Sequence, residues 1–432
     1  MQKKTILLTL CIFASSFAIN SDDDDGPPKR YDGYSVFRVT PSNEADLKFL
    51  QWLRNDVEFD FWTNPGVIGK PVDIMIPPEK LLLFNESFTA NKIDFSLLTN
   101  DVQRLIDEEN ELLNSPEPKR QKRSLLSFFR KFQKKNAFYD YLGQLLYHFQ
   151  PKIQVVTVGR TFRGNELKLV KLSTGPRNAN KPIIWIDGGI HAREWIAPAT
   201  AMYIIFKILN SYETNKKVRK LLDTYDWYIM PLVNPDGYDY TFKHDRFWRK
   251  NRSQSRIHKE GVDLNRNFPF DWNTPNTDVL SRYPNTDQYR GPEPMSELET
   301  KAIARTLTEV KERVKLFLTL HSYGQFIMFP WGSREEHCDD YDTLKHVGIR
   351  AAEAIRKSSG AQYKSDSINE IVGIATGNSV DWAYGALNIK YSFGFELRDK
   401  GVKGWQISTR EIIPVGEEVW QAVSSIISDI RL

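Results

Sequence analysis

The stretch Ile183-Ile184-Trp185-Ile186-Asp187-Gly188-Gly189-Ile190-His191-Ala192-Arg193-Glu194-Trp195 carries three signals in succession. The apolar run Pro182–Asp187 reads as a buried strand. Two glycines turn the chain, and His191-x-x-Glu194 follows, just before a helical pattern that starts near Pro198. An imidazole and a carboxylate three residues apart can leave a turn in the same direction. Both are zinc ligands, so the pair makes half of a metal site. Alone the pattern is weak, because a histidine there serves equally well as a hydrogen-bonded surface group. The same arrangement recurs, however. Lys315–Leu320 is an apolar run that ends in His321-Ser322-Tyr323, and Lys390–Phe395 ends in Glu396-Leu397-Arg398-Asp399. A carboxylate directly after Tyr391-Ser392-Phe393-Gly394-Phe395 lies at the edge of buried surface, where a charge is costly unless paired or used. The run Trp227–Leu232 leads into a loop with Arg249 and then Asp263-Leu264-Asn265-Arg266-Asn267. In open α/β sheets, ligands bind outside the carboxyl ends of the strands. His191, Glu194, His321, Glu396, Asn265 and Arg266 are therefore expected to converge there.

Between these runs lie helical periodicities over Pro198–Asn210, Glu297–Lys315, Tyr341–Ser358 and Gly416–Ile430. Residues 124–432 are expected to form one α/β domain, a sheet covered by helices on both faces. Upstream, strand-like Tyr34–Val39 and Val72–Ile76 alternate with helix-like Glu44–Arg54 and Asp101–Leu113, which suggests a small α/β sandwich over about Tyr31–Glu111. Asn114-Ser115-Pro116-Glu117-Pro118 then breaks the helix, and Lys119-Arg120-Gln121-Lys122-Arg123 follows. In an exposed Pro-rich linker, Arg-x-Lys-Arg is a spacing that proprotein convertases accept, with cleavage after Arg123. The alternative is a solvated basic linker or a nucleic-acid patch. Secretion argues against nucleic acid. Met1–Lys4 carries two lysines, an apolar stretch runs to Ala18, and Ser16-Phe17-Ala18 is a small-x-small cleavage pattern. This reads as a secretory signal peptide over residues 1–18.

The chain has 432 residues, enough for two or three domains, with 41% hydrophobic, 26% charged and 12% aromatic residues. That composition argues against a mainly disordered or collagen-like chain. No apolar run reaches the length of a membrane span. Cys11 leaves with the signal, so Cys338 stands alone and no internal disulfide forms. Cys338 is expected to be buried or inert. Asn85 and Asn251 lie in Asn-x-Ser sequons, candidate glycosylation sites. The net charge of +4 is a sum of opposites. Residues 19–123 hold 13 Lys+Arg against 20 Asp+Glu, and residues 124–432 hold 44 against 35. An acidic segment lying against a basic domain is one consequence to test.

His191–Trp195, Trp248-Arg249-Lys250, Val262–Phe268, His321-Ser322-Tyr323 and Phe395–Asp399 together resemble the zinc metallocarboxypeptidases, in the pancreatic carboxypeptidase A/B branch. The resemblance covers nearly all of 124–432, and residues 31–111 resemble that branch's activation propeptide. It implies a large mixed β-sheet with helices on both faces and a secreted zymogen whose propeptide (residues 19–123) inhibits it. Its substrates would be peptide or protein C-termini. Carboxypeptidase A is itself a known His₂Glu zinc site. By that likeness His191, Glu194 and His321 would hold one Zn²⁺, Glu396 would be the general base and Arg249 would stabilise the oxyanion. Asn265 and Arg266 would grip the terminal carboxylate, and Arg193 and Tyr323 would touch the peptide upstream. Asp263 would fix the tautomer of His191. Val380 stands where an aspartate would select Lys or Arg. With Ile368, Ala375 and Gly332 it implies an apolar pocket and a preference for aromatic or aliphatic ends, unless Val380 only packs. Two departures stand out. Gly373 occupies the place of the family's carboxylate-capping tyrosine, and Ser253–Gly261 lacks the branch's usual cysteine. The first leaves a rival reading open: a catalytically weak or inactive peptide-binding member with a structural or regulatory role.

Overall fold

The computed structural model describes residues 26–115, 124–175, 180–254, 261–274 and 279–430. The signal sequence and the cleavage point after Arg123 lie outside the described residues.

The first domain runs β1 (Ser35–Val39), α1 (Glu44–Leu53), β2 (Asp60–Phe61), β3 (Val72–Ile76), α2 (Leu81–Ala90), β4 (Phe95–Thr99) and α3 (Val102–Asn114). Its strands form an antiparallel sheet in the order β2-β3-β1-β4. Alternation along β1 and β3 divides the side chains between two faces. Phe37, Val39, Ile74 and Ile76 pack under α1 and α2 with Leu50, Phe84 and Phe88. Val36 and Met75 point the other way and join Val102 and Ile106 of α3. That second face does not meet water. It closes on Phe247, Tyr323 and Trp405 of the large domain, so one aromatic cluster is built from both domains.

The large domain contains α4 (Lys135–Phe149), β5 (Ile153–Arg160), β6 (Glu166–Leu172), β7 (Ile183–Gly188), α5 (Ile196–Ser211), α6 (Lys216–Thr224), β8 (Asp226–Met230) and α7 (Pro235–Lys243). Then come α8 (Leu298–Val310), β9 (Val314–Ser322), β10 (Phe326–Phe329), α9 (Tyr341–Ser359), β11 (Lys364–Ser367), α10 (Ile368–Val372), α11 (Ser379–Gly385), β12 (Ser392–Leu397) and α12 (Ile412–Asp429). The eight strands form one mixed sheet, β11-β10-β12-β9-β7-β8-β6-β5. The four central strands, β12, β9, β7 and β8, are mutually parallel. Both faces are covered, as the sequence suggests. Ile184 and Ile186 of β7 and Leu316, Leu318 and Leu320 of β9 enter the core shared with α5, α9 and α12. Ile183, Trp185 and Phe317 enter the opposite core beneath α8 and α11. Buried on nearly every side, α5 shows no polar stripe, in keeping with its place between sheet and outer helices. Among the described residues, no helix is long and apolar enough to cross a membrane.

Some sequence expectations need correction. The helix expected over Glu297–Lys315 ends at Val310, and the chain tightens into a 3₁₀ turn before β9 begins at Val314. His321 and Glu396 do not follow their strands but lie inside the last residues of β9 and β12. Asn251 is fully buried and its amide donates to Glu297 (2.7 Å), so the folded chain offers no glycosylation there. Asn85 is exposed on α2. Cys338 is buried, and burial raises its thiol pKa, which suits an inert role.

Candidate metal centre and substrate cavity

Three neighbouring parallel strands, β7, β9 and β12, deliver the site at their carboxyl ends, in the middle of the sheet. At the end of β7, Gly189 adopts φ +70°, which swings the chain into the turn that carries His191 and Glu194. In the β9/β12 pairing Glu396 is the register partner of His321, so the two strands present these groups side by side.

The metal-binding groups face one another. His191 Nδ1 lies 2.8 Å from Glu194 Oε1, and His321 Nδ1 lies 3.2 Å from Glu194 Oε2. The two imidazole Nδ1 atoms are 3.1 Å apart. All three residues are buried, and one donor atom from each falls within 4.8 Å of the others. Two nitrogens bound at about 2.0–2.1 Å to a tetrahedral ion would be separated by about 3.3 Å, so this spacing fits a single zinc with a fourth position left over. The far side of each ring is held. His191 Nε2 meets Asp263 Oδ1 at 3.1 Å, and His321 Nε2 meets Thr319 Oγ1 at 3.2 Å.

Asp263 organises more than His191. Its Oδ2 accepts from Arg249 Nε (2.9 Å) and its Oδ1 also accepts from the Asn265 backbone N–H (2.9 Å). Burial alone would raise the Asp263 pKa, but Arg249 and His191 outweigh it and hold the carboxyl well below its usual range. Arg249 is thereby fixed with Nη1 3.7 Å from Glu194 Oε1. Asn265 Oδ1 accepts from Ser379 N–H (2.9 Å), which ties the Asp263–Arg266 turn to α11. Burial pushes the Glu396 carboxyl well above its usual range, and nearby Glu194 pushes it further. A divalent cation in the cluster opposes that shift.

A cavity of about 390 Å³ joins these groups. His191, Glu194, His321, Glu396, Arg249 and Arg266 line it together with the apolar Val380, Ile368 and Ala375. The roof is the first domain, with Arg38, Trp62, Asn64 and Asp73 among the lining residues. Tyr323, expected to touch peptide, instead donates its hydroxyl to Asp73 Oδ2 (2.8 Å). Asp73 is paired with Arg38 (2.7 Å), whose Nη2 reaches the Lys400 carbonyl (2.6 Å). Arg193 does not line this cavity. It is buried against Trp405, 3.8 Å from the ring centre, and donates to Phe247 O (3.1 Å) and Asp287 Oδ2 (2.8 Å). Gly373 ends α10 on the lip of the cavity, directly against Gly66 of the first domain, and Asn64 Nδ2 donates to Val372 O (3.0 Å) beside it. A deeper anchor is Glu109 of α3. It meets Arg246 at 2.5 Å, while Arg246 also donates to the carbonyls of Arg193 (3.0 Å) and Trp405 (2.9 Å).

The model of the "Zinc carboxypeptidase" family matches residues 138–422. The chain belongs to this family. A second model, "Carboxypeptidase activation peptide", matches residues 37–109, so the roof over the zinc carboxypeptidase site is its own activation peptide. Carboxypeptidase A2 of Rattus norvegicus is 35% identical over 404 residues, covering 92% of this chain and 94% of the relative. Zinc carboxypeptidase A 1 of Anopheles gambiae is 34% identical, covering 93% and 90%. Among solved structures, thrombin activatable fibrinolysis inhibitor superposes with a TM-score of 0.81 at 31% identity, covering 92% of this chain and 98% of that one. Carboxypeptidase A from Helicoverpa armigera gives 0.82 at 27% identity, covering 93% and 98%. The chain is thus a metallocarboxypeptidase, a peptide hydrolase, and the His191–Glu194–His321 cluster suits the family's zinc.

Arg246, Glu109, Thr319 and Trp405 were not singled out from sequence. Arg246, Glu109 and Trp405 act through partners distant in the chain, and Thr319, two residues before His321, differs from its apolar strand neighbours only by a hydroxyl, so no local motif marks them.

Proposed function

We propose that residues 1–18 direct secretion and that residues 19–123 hold the precursor inactive. Cleavage after Arg123 then frees residues 124–432 to remove apolar or aromatic residues from peptide C-termini. The apolar lining of the cavity carries this reading: Val380, Ile368 and Ala375 lie in the same cavity as Arg266. A guanidinium fork suits a planar terminal carboxylate, and Asn265 stands beside it. Zinc held by His191, Glu194 and His321 supplies Lewis acidity toward water and the scissile carbonyl. Glu396 accepts the proton of the attacking water and returns it to the leaving amine. Arg249, locked by Asp263, faces the charge that develops on the carbonyl oxygen, and a fixed cation there needs no reorganisation as the charge appears. Tyr323 becomes available to the upstream peptide once the activation peptide takes Asp73 away, whereas Arg193 must also exchange partners within the large domain, Phe247 O and Asp287, to reach it.

The test is to cleave the precursor after Arg123 and compare peptides ending in Phe, in Arg and in a blocked carboxyl. Release from the Phe-ended peptide alone is expected. Equal release from blocked peptides, or preference for Arg, would refute the assignment. Gly373 favours a second reading, a peptide binder of weak turnover, because neither a hydroxyl nor a ring caps the carboxylate there. An unchanged biological effect after Glu396→Gln would favour that reading.

A further inference from the structure

His321 presents Nδ1 to the metal cluster, so its Nε2 must carry the ring proton for the lone pair to be free. His191 has Asp263 to hold that proton. The Nε2 side of His321 meets a hydroxyl rather than a carboxylate: it lies 3.2 Å from Thr319 Oγ1. Thr319 stands two residues earlier on β9, on the same face of the strand, and is fully buried. Its register partner across the β7/β9 pairing is Asp187, which is 2% exposed. That register sets Thr319 and Asp187 side by side as hydrogen-bonding neighbours, and Asp187 Oδ2 accepts from Trp185 Nε1 (2.8 Å). A hydroxyl has one proton and two lone pairs, and a carboxylate only accepts. Thr319 therefore donates to Asp187 and accepts from His321 Nε2–H.

We propose that Thr319 and Asp187 form a relay that positions His321 for zinc, with a buried hydroxyl interposed where Asp263 acts on His191 directly. The two histidines are thus oriented by separate carboxylates on separate elements, and neither depends on the other's support. Partners at this distance from a metal commonly set its affinity by 10- to 100-fold. Thr319 is a positioning residue, since it touches His321 rather than the ion.

The proposal deepens the metal assignment and is tested by binding rather than turnover. The metal-free full chain, its Thr319→Val variant and its Thr319→Ser variant are titrated with zinc against a chromophoric chelator. Valine keeps the shape and removes the relay, so a 10- to 100-fold loss of zinc affinity is expected. Serine keeps the hydroxyl and should bind within about twofold of the parent. Unchanged affinity in Thr319→Val would overturn the proposal. So would an equal loss in Thr319→Ser, which would trace the effect to the methyl group and packing. If zinc binding itself failed in the parent, the family assignment of the metal would fall instead.

Discussion

Replacing Gly66 with alanine should loosen the activation peptide and leave the released enzyme untouched. A Cβ built on Gly66 would lie 2.3 Å from Val372 O and 2.8 Å from Gly373 Cα. Its three nearest atoms all belong to Val372 and Gly373, so the clash falls on the lip of the substrate cavity. Ordinary contact begins near 3.4 Å, which means that the loop must withdraw by about an ångström. The obstacles are backbone atoms that no side-chain rotation relieves, and the withdrawal also breaks the 3.0 Å bond from Asn64 to Val372 O. Overpacking of this kind costs about 1–3 kcal/mol, a weakening of about 5- to 150-fold. The assay uses the full chain nicked at a protease site engineered into the linker, where the two pieces remain associated. The dissociation rate of the activation peptide is then followed by size-exclusion chromatography after dilution. Gly66→Ala should dissociate faster by that factor, with kcat and KM of the freed enzyme unchanged because residue 66 departs. An unaltered dissociation rate would show that the Gly66–Gly373 contact does not hold the precursor closed.

Three further outcomes are expected. Glu396→Gln should lower kcat by about 10²- to 10⁴-fold while zinc content, measured by atomic emission, stays at the parental level. Val380→Asp should move preference from C-terminal Phe toward Lys and Arg, read as the ratio of kcat/KM for the two ends. Glu299 is buried, with Asp236 and Glu297 nearby, and burial first and Asp236 second push its carboxyl up to about 8. A raised carboxyl binds its proton more tightly when folded, so its ionisation destabilises the native state as pH rises from about 4.5 to about 8. Glu299→Gln should therefore gain thermal stability over the parent across that window and run parallel to it above. A constant difference from pH 4 to pH 9 would contradict the assignment.

Much of the site was legible because its residues terminate continuous apolar runs. β7, β9 and β12 are buried on both faces, so they read as unbroken hydrophobic stretches, and a His or Glu at the end of one is conspicuous. The first domain was half legible. β1, α1, β3 and α3 gave clear periods, but α2 begins Leu81-Leu82-Leu83-Phe84 and leaves Leu82 and Leu83 exposed. Its apolar residues make no single stripe, which hid the helix. β5 lies at the edge of the large sheet with most side chains half-buried or exposed, and its pattern is correspondingly mixed. Thr319 looked like one more core-strand residue. Its pairing with Asp187 follows from strand register, which local sequence does not specify. The charge pairs across the domain boundary do not share one polarity, since Lys29–Asp245 sets a base of the first segment against an acid of the large domain. Glu109–Arg246 crosses the domain boundary, whereas most of the seam around it is the aromatic cluster.

That cluster places Tyr323 and Trp405 under two demands. In the precursor they are filled in by Val36, Trp62, Met75 and Ile106 of the activation peptide. In the released enzyme the same shelf stands uncovered beside the catalytic groups, and an incoming peptide meets it in place of the departed domain. A replacement at either position is judged twice, once for silence before activation and once for substrate afterward. Such positions should tolerate fewer substitutions than their burial in the precursor alone would suggest, and a tolerated change there should be accompanied by a matching one in residues 31–106.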